Sequence, residues 1–269
     1  MTERRSPYGL VISDVDGTLV TTDKRLTERT VAAVRRMREA GVLFAITSSR
    51  PPRGLRMVTE TLGIDTPVGG FNGGRIVDPA SGPVAENLLP PQAARDAVRQ
   101  LEAQGVGVWV FTGEDWLVTD PDGAYVEHER ATVQFDPVVV PSFDGHLDRV
   151  AKLVGASRDF ALLARCEREL AGQLAGASVV RSQDYYLDIT SRDANKGTVV
   201  RTLSQRLGVP REAILVLGDM RNDVPMFAQA GFSVAMGQAG DEVKAAASAV
   251  TAGNDADGFA QAIERHVLA

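Results

Sequence analysis

The sequence predicts an α/β protein: a Rossmann-like, doubly wound parallel-sheet core interrupted by an inserted α+β domain. Three observations carry this. Continuous apolar runs at 8–13, 41–47 and 213–217 alternate with helix-period stripes, the rhythm of a parallel sheet covered on both faces. The rhythm breaks after Gly69 and returns at residue 196. Acidic and hydroxyl-bearing motifs follow the apolar runs, and open α/β sheets collect ligands at the carboxyl ends of their strands.

The elements follow in order. Residues 8–13 read as a buried strand. Residues 27–40 read as a helix, with Val31, Val34 and Met37 on one stripe and Gly41 as its stop. Residues 41–47 are a second buried strand, and Pro51-Pro52 open a helix through Leu62. After the glycine-rich Gly69-Gly-Phe-Asn-Gly-Gly74, residues 75–82 resemble a hairpin. A helix is expected over 90–104, and paired strands at 106–111 and 116–119 around the turn 112–115. A Pro/Asp/Gly-rich loop occupies much of 120–147. A helix at 158–174 and strands at 178–182 and 185–190 follow. The first rhythm resumes with a helix at 196–207, a strand at 213–217, a helix at 224–229 and a strand at 232–235, then helices near 240–247 and 257–267. The expected division is a discontinuous core of residues 1–82 and 189–269 with an inserted domain of 83–188.

Composition narrows the function. Apolar residues make up 44 % of the 269 residues, ample for a core. The formal charge of -6 carries no basic footprint, so nucleic acid is not an expected partner. No stretch approaches the ~20 apolar residues of a membrane span. The N-terminal Met1-Thr-Glu-Arg-Arg-Ser-Pro-Tyr8 soon meets Asp14 and does not read as a signal peptide. Cys166 is the only cysteine, which suits a reducing, cytoplasmic setting. A monomer and a homodimer both fit.

Four motifs carry chemistry. Asp14-Val-Asp16-Gly17 places two acids two residues apart at a strand end, with a glycine for a sharp turn. That pattern invites a metal, a nucleophile or both; a solvated acidic turn is the alternative. Thr47-Ser48-Ser49-Arg50 follows the second strand, and Ser48 could cap the next helix, bind an anion there, or both. Lys196-Gly197 opens a helix. Gly218-Asp219-Met-Arg-Asn222-Asp223 follows the 213–217 strand and could be a capped turn. In a parallel sheet these motifs converge on one edge. Acids, a hydroxyl and a cation there suit Mg²⁺-dependent phosphoryl transfer, because Mg²⁺ takes carboxylate, phosphate and water oxygens.

Together these residues resemble the haloacid dehalogenase-like phosphatases, in the Cof-type branch with a large α/β cap. The likeness rests on Asp14-Val-Asp-Gly-Thr-Leu19, Ser48-Ser-Arg-Pro51, Phe71-Asn-Gly-Gly74, Lys196-Gly197, Gly218-Asp-Met-Arg-Asn-Asp223, Val234-Ala-Met-Gly237 and Asn254-Asp-Ala-Asp-Gly258, and spans essentially the whole chain. It implies that Asp14 is the nucleophile, forming an aspartyl-phosphate. Asp16 protonates the leaving group and then activates water. Asp14, the Asp16 carbonyl and Asp219 hold Mg²⁺, and Asp223 supports the metal or orients Lys196. Ser48 and Asn222 contact phosphate, Lys196 offsets charge, and Asn72 faces the substrate. The substrate is a small phosphorylated metabolite such as a sugar phosphate, and the cap closes over the site and selects it. A sugar-phosphoglycerate or sucrose-phosphate type phosphatase is a variant of this reading. A phosphotransferase or phosphomutase on the same site, and a non-catalytic phospho-ligand sensor, are the alternatives.

Two departures stand out. Ser48-Ser49-Arg50 replaces the family's usual Thr-Gly-Arg; the hydroxyl survives, Ser49 can add a donor, and Thr47 is the fallback hydroxyl. Gln238-Ala239 replaces Asn-Ala, which should alter only a peripheral contact. His128, His146 and His266 lack metal-ligand spacing. Cys166 reads as inert core. The Gly69–Gly74 glycines read as a hinge, with phosphate cradling as the alternative. Trp109, Trp116, Tyr125, Tyr185 and Tyr186 read as inserted-domain core before pocket lining.

Overall fold

A computed structural model describes residues 6–113 and 115–269. Residues 1–5, part of the segment read for a leader, and Glu114 of the expected 112–115 turn lie outside the described residues. In chain order the elements are β1 (Leu10–Asp14), α1 (Glu28–Glu39), β2 (Leu43–Thr47), α2 (Arg56–Leu62), β3 (Val68–Gly70), β4 (Arg75–Asp78), β5 (Gly82–Glu86), α3 (Pro91–Ala103), β6 (Gly107–Phe111) and β7 (Trp116–Val118). They continue with α4 (Val126–Val133), β8 (Val138–Val139), β9 (Lys152–Ala156), α5 (Phe160–Leu170), β10 (Ala177–Gln183) and β11 (Tyr186–Ser191). The chain closes with α6 (Lys196–Leu207), β12 (Ile214–Gly218), α7 (Val224–Phe227), β13 (Phe232–Ala235), α8 (Asp241–Ala246), β14 (Ala249–Val250) and α9 (Gly258–His266).

The chain divides into two compact units. The first holds the chain up to Ser49, Arg56–Ala85 and Asn195–Ala269. Its sheet runs β14-β13-β12-β1-β2-β3-β4-β5 and is parallel from β14 to β3, with β4 antiparallel to β3. The chain moves outward from β1 through β2 to β3, then returns beside β1 at β12 and moves the other way. The switch point therefore lies between β1 and β12, where doubly wound sheets open a crevice. Both strands are wholly buried, which explains their unbroken apolar sequences. Leu10, Ile12, Val199, Val200, Leu203, Ile214 and Val216 share one core cluster. On α1 and α9, Arg29 meets Glu264 at 2.7 Å, and Phe44 of β2 sits 5.8 Å from the Phe259 ring of α9.

The second unit holds Arg50–Leu55 and Glu86–Ala194. Its sheet runs β10-β11-β9-β6-β7-β8. Val108, Val110, Leu153, Leu187 and Ile189 pack with Ala94, Leu101, Leu163 and Cys166 of α3 and α5 in one apolar cluster. Trp109, Phe111, Trp116 and Tyr186 form a second, aromatic cluster with rings 5.1–5.9 Å apart. Trp109, Trp116 and Tyr186 are buried there, and Tyr125 stacks on Tyr185 at 4.4 Å. No helix among the described residues is long and apolar enough to cross a membrane.

Several expectations change in detail. The 120–147 stretch is not only loop; it contains α4, set between left-handed Tyr125 and Gln134, and the short β8. The strand β9 lies between β11 and β6 in its sheet and has no strand signature in the sequence, because Lys152 and Gly155 interrupt its apolar run. Lys152 is neutralised by Asp188 of β11 at 2.7 Å, and a Cβ at position 155 would meet Val106 at 3.2 Å. Helix α2 begins only at Arg56, after a 3₁₀ turn at Pro52–Leu55. The two compact units meet along the chain at 49/50, 55/56, 85/86 and 194/195, beside the expected divisions at 82/83 and 188/189. Strand β5 belongs to the first sheet, and β11 is held in the second by pairing through Thr190 and Ser191.

Candidate active site

Asp14 ends β1 and is 4 % exposed. Beyond it the chain turns tightly: the Val15 carbonyl accepts from the N–H groups of Thr18, Leu19 and Val20 at 3.4, 3.0 and 3.1 Å. Gly17 has φ +81°, and a Cβ there would stand 2.4 Å from Asp219 Oδ2. Both the backbone conformation and the close approach therefore require glycine. Asp16 is partly exposed and pairs with Lys24 Nζ at 2.7 Å. Lys24 itself has a positive φ of 64°.

Lys196 is the first residue of α6, whose N-cap Asn195 accepts from the Thr198 N–H. Gly197 lets this turn lie against α7, since a Cβ there would meet the Pro225 carbonyl at 2.6 Å. The Lys196 ammonium, 1 % exposed, donates to Asp14 Oδ1 at 2.6 Å and Asp223 Oδ1 at 2.5 Å. Asp223 Oδ2 accepts the main-chain N–H groups of Asp219 and Met220, both at 2.9 Å. Asp223 thus anchors Lys196 and shapes the turn that presents Asp219. Asp219 Oδ1 accepts from Thr18 Oγ1 at 3.3 Å, and its Oδ2 from Gln238 Nε2 at 3.4 Å.

Burial pushes the Asp14 carboxyl well above the usual range; Lys196 opposes this, while Asp223 and Asp219 reinforce it. Asp219 is pushed up to about 6, first by burial and then by Asp223. Burial alone would lower the Lys196 pKa, but Asp14 and Asp223 outweigh it and raise it. Beside burial, one cluster of charges enters all three shifts. Asp14, Asp219 and Asp223 offer oxygens within 4.8 Å of one another, and a single ammonium stands among them. Fully ionised, the cluster keeps two negative charges in excess. An oxygen-rich, doubly negative, buried cluster fits a divalent hard cation.

The second half of the site lies beside β2. Asp14 is in register with Thr47, and Thr47 with Gly69. The Ser48 N–H donates to the Gly69 carbonyl and the Asn72 N–H to the Ser48 carbonyl, both at 2.8 Å. Asn222 Nδ2 then donates to Asn72 Oδ1 at 3.1 Å. Ser48, Asn72 and Asn222 are thereby linked, and the adjacent Phe71 and Asn72 both hold left-handed φ values of 52° and 54°. Strained backbone of this kind concentrates at functional sites. Ser49 is partly exposed and ends the first segment of its unit. Close packing requires two of the glycines here: a Cβ on Gly69 would stand 2.7 Å from Val199, and one on Gly73 2.7 Å from the Asn195 carbonyl. Thr47 Oγ1 is buried, and the same Cβ on Gly69 would stand 2.9 Å from it.

This arrangement has known counterparts. The sequence pattern of the haloacid dehalogenase-like hydrolases matches residues 11–263. The chain belongs to this family. A haloacid dehalogenase-like hydrolase from Bacteroides thetaiotaomicron superposes with a TM-score of 0.89 at 29 % identity, covering 96 % of this chain and 99 % of that one. Pyridoxal phosphate phosphatase YbhA of Escherichia coli is 28 % identical over 269 residues, 96 % of this chain and 98 % of its own. 5-Amino-6-(5-phospho-D-ribitylamino)uracil phosphatase YitU of Bacillus subtilis is 26 % identical over 277 residues, 97 % of each chain.

Thr18, Lys24 and Gln238 also touch the acids of the site, beyond the residues that the motifs singled out for it. Thr18 lies inside the Asp14–Leu19 motif and was legible there as a hydroxyl next to the turn. Lys24 lies outside every motif of the sequence. Gln238, expected to be peripheral, instead reaches the Asp219 carboxylate and the Gly17 carbonyl.

Proposed function

We propose that this hydrolase is a Mg²⁺-dependent phosphatase of small phosphate monoesters, working through an aspartyl-phosphate on Asp14. The supporting observation is the buried Lys196 bridge between Asp14 and Asp223, with Asp219 within cation-sharing distance, at the switch point of the sheet. A surface acid pair has no need of a buried ammonium. A nucleophilic carboxylate does, because it must be held in one orientation and kept ionised beside a phosphate.

In this reading one Asp14 oxygen attacks phosphorus while the ester P–O bond breaks, and Lys196 holds the carboxylate in place. The leaving alkoxide takes a proton from Asp16. Asp16 then accepts a proton from a water as that water displaces Asp14 from phosphorus, which restores both acids. Asp16 is the one acid of the group that is partly exposed, and a group that exchanges protons with leaving group and water needs that access. Asp14, the Asp16 carbonyl and Asp219 are the oxygens that would hold Mg²⁺. Bound there, the cation would neutralise the excess charge and polarise the phosphoryl oxygens. Ser48 and Asn222 are the neutral donors for phosphate, and Asn72 orients Asn222. The pyridoxal phosphate and ribitylaminouracil phosphatases among the relatives favour a small phosphorylated metabolite, and sugar phosphates belong to that class. Selection among such metabolites is assigned to the second unit.

The test is phosphate release from an aryl phosphate and a panel of sugar phosphates, with Mg²⁺ or EDTA, using wild type and Asp14→Asn. Metal-dependent turnover is expected. The variant should lose on the order of 10³-fold or more in kcat while remaining folded. A variant with near-wild-type activity would remove Asp14 as nucleophile. Phosphate appearing on an added alcohol or sugar instead of in solution would indicate transfer rather than hydrolysis.

A further inference from the structure

Gln238 follows β13, and its side chain joins three separate stretches of the first unit. Nε2 donates to the Gly17 carbonyl at 2.5 Å and to Asp219 Oδ2 at 3.4 Å, and Oε1 accepts from the Asn254 N–H at 3.2 Å. The orientation of the amide is forced by its partners: a main-chain N–H only donates and a carbonyl only accepts. Asn254 in turn donates its Nδ2 to the Val20 carbonyl at 3.1 Å, so the tie closes on the far end of the turn that begins at Asp14. Thr18, from the middle of that turn, holds the other Asp219 oxygen. Gly17 has no side chain to keep the turn apart from Asp219, so polar ties set their spacing.

We propose that Gln238 is a positioning residue for the divalent cation. It fixes the Asp219 carboxylate relative to the Asp14–Val20 turn, so that the Asp14 carboxylate, the Asp16 carbonyl and Asp219 are presented to one ion. The inference rests on the reading of Asp219 as a cation ligand. Residues that orient ligands without touching the metal govern affinity because ligands left free must be ordered when the ion binds. A purely structural staple would act otherwise: its loss would lower the melting temperature and leave metal affinity alone.

The test is direct metal binding without substrate. Metal-stripped wild type, Gln238→Met and Gln238→Asn are titrated with Mn²⁺, followed by electron paramagnetic resonance, and with Mg²⁺ by calorimetry. Melting curves in EDTA establish that each variant folds. Gln238→Met keeps the length and removes the amide, and its Kd should rise on the order of 10-fold or more. Gln238→Asn keeps the amide one methylene shorter and should retain more affinity than Gln238→Met. Saturating Mg²⁺ should return most of kcat in both. A Gln238→Met protein with wild-type Kd overturns the proposal, as does a loss confined to the melting temperature. If Gln238→Met fails to fold, Gln238→Asn decides: a raised Kd supports the proposal and an unchanged Kd overturns it. Wild type that takes up neither ion overturns the cation reading itself, so the two failures separate.

Discussion

Lys196 carries the largest electrostatic burden of any single side chain in the site. Its ammonium is buried between two carboxylates, and neither partner can turn to water. Lys196→Met leaves those carboxylates uncompensated and should destabilise the protein by about 3–5 kcal/mol, read from urea unfolding. Asp219 supplies a pH dependence. Its pKa rises from 3.8 to about 6 on folding, so between these values the native state holds a proton that the unfolded chain has released. In metal-free protein its contribution to stability therefore falls as pH rises from about 4 to about 6, and is level above. A cation must displace that proton. The Mg²⁺-induced rise in melting temperature should accordingly be larger at pH 7.5 than at pH 5, and an equal rise at both would remove Asp219 from the ligand set.

At the scale of elements, the site is made by where strands and helices end. Strands β1, β2 and β12 run parallel and in register, which brings Asp14, Ser48 and Asp219 to one edge without any loop having to travel far. Helix α6 begins at that edge with Lys196 in its first turn, held by the Asn195 cap. Asn195→Ala removes the side-chain acceptor for the Thr198 N–H and should cost about 1 kcal/mol of stability. Because fraying of that turn moves Lys196, kcat should fall by more than KM changes, and steady-state kinetics at saturating Mg²⁺ would show it. The sequence made the helix start and the strand ends legible, since caps and apolar runs are local. It did not reveal β9 or α4. In β9 the charge of Lys152 is cancelled only by Asp188 on a neighbouring strand, and in α4 a weakly patterned helix is delimited by left-handed residues that have no glycine signature.

At the scale of the molecule, the two compact units each have their own sheet and their own core. The second is nearly one continuous stretch, with only Arg50–Leu55 drawn from elsewhere. Residues 86–194 expressed alone should therefore fold cooperatively, with an unfolding enthalpy of about 60–80 kcal/mol for a domain of roughly 100 residues. That fragment should release no phosphate from any ester, because Asp14, Lys196 and Asp219 all lie in the other unit. A fragment with no calorimetric transition would show that it depends on the first unit for its structure.

The sequence by itself determined the central strands β1, β2, β12 and β13, where they stop, and which acids, hydroxyls and lysine follow them; the short β3 and β14 were not legible in it. These are local facts: an apolar run, a glycine turn and a helix cap are each written within a few residues. Tertiary structure alone decided how they meet. Lys196 reaches Asp14 across 182 residues of sequence, and Gln238 reaches Gly17 across 221, by virtue of a strand order that returns β12 beside β1. Periodicity cannot encode that return, because every buried parallel strand looks alike until its neighbours are known. The resemblance had Asp223 supporting the metal or orienting Lys196; how it does so lies in the fold. In the sequence it is one acid of a Gly-Asp-Met-Arg-Asn-Asp run; in the fold it ends the 3₁₀ turn Arg221–Asp223, accepts two main-chain N–H groups and one ammonium, and so holds the site together.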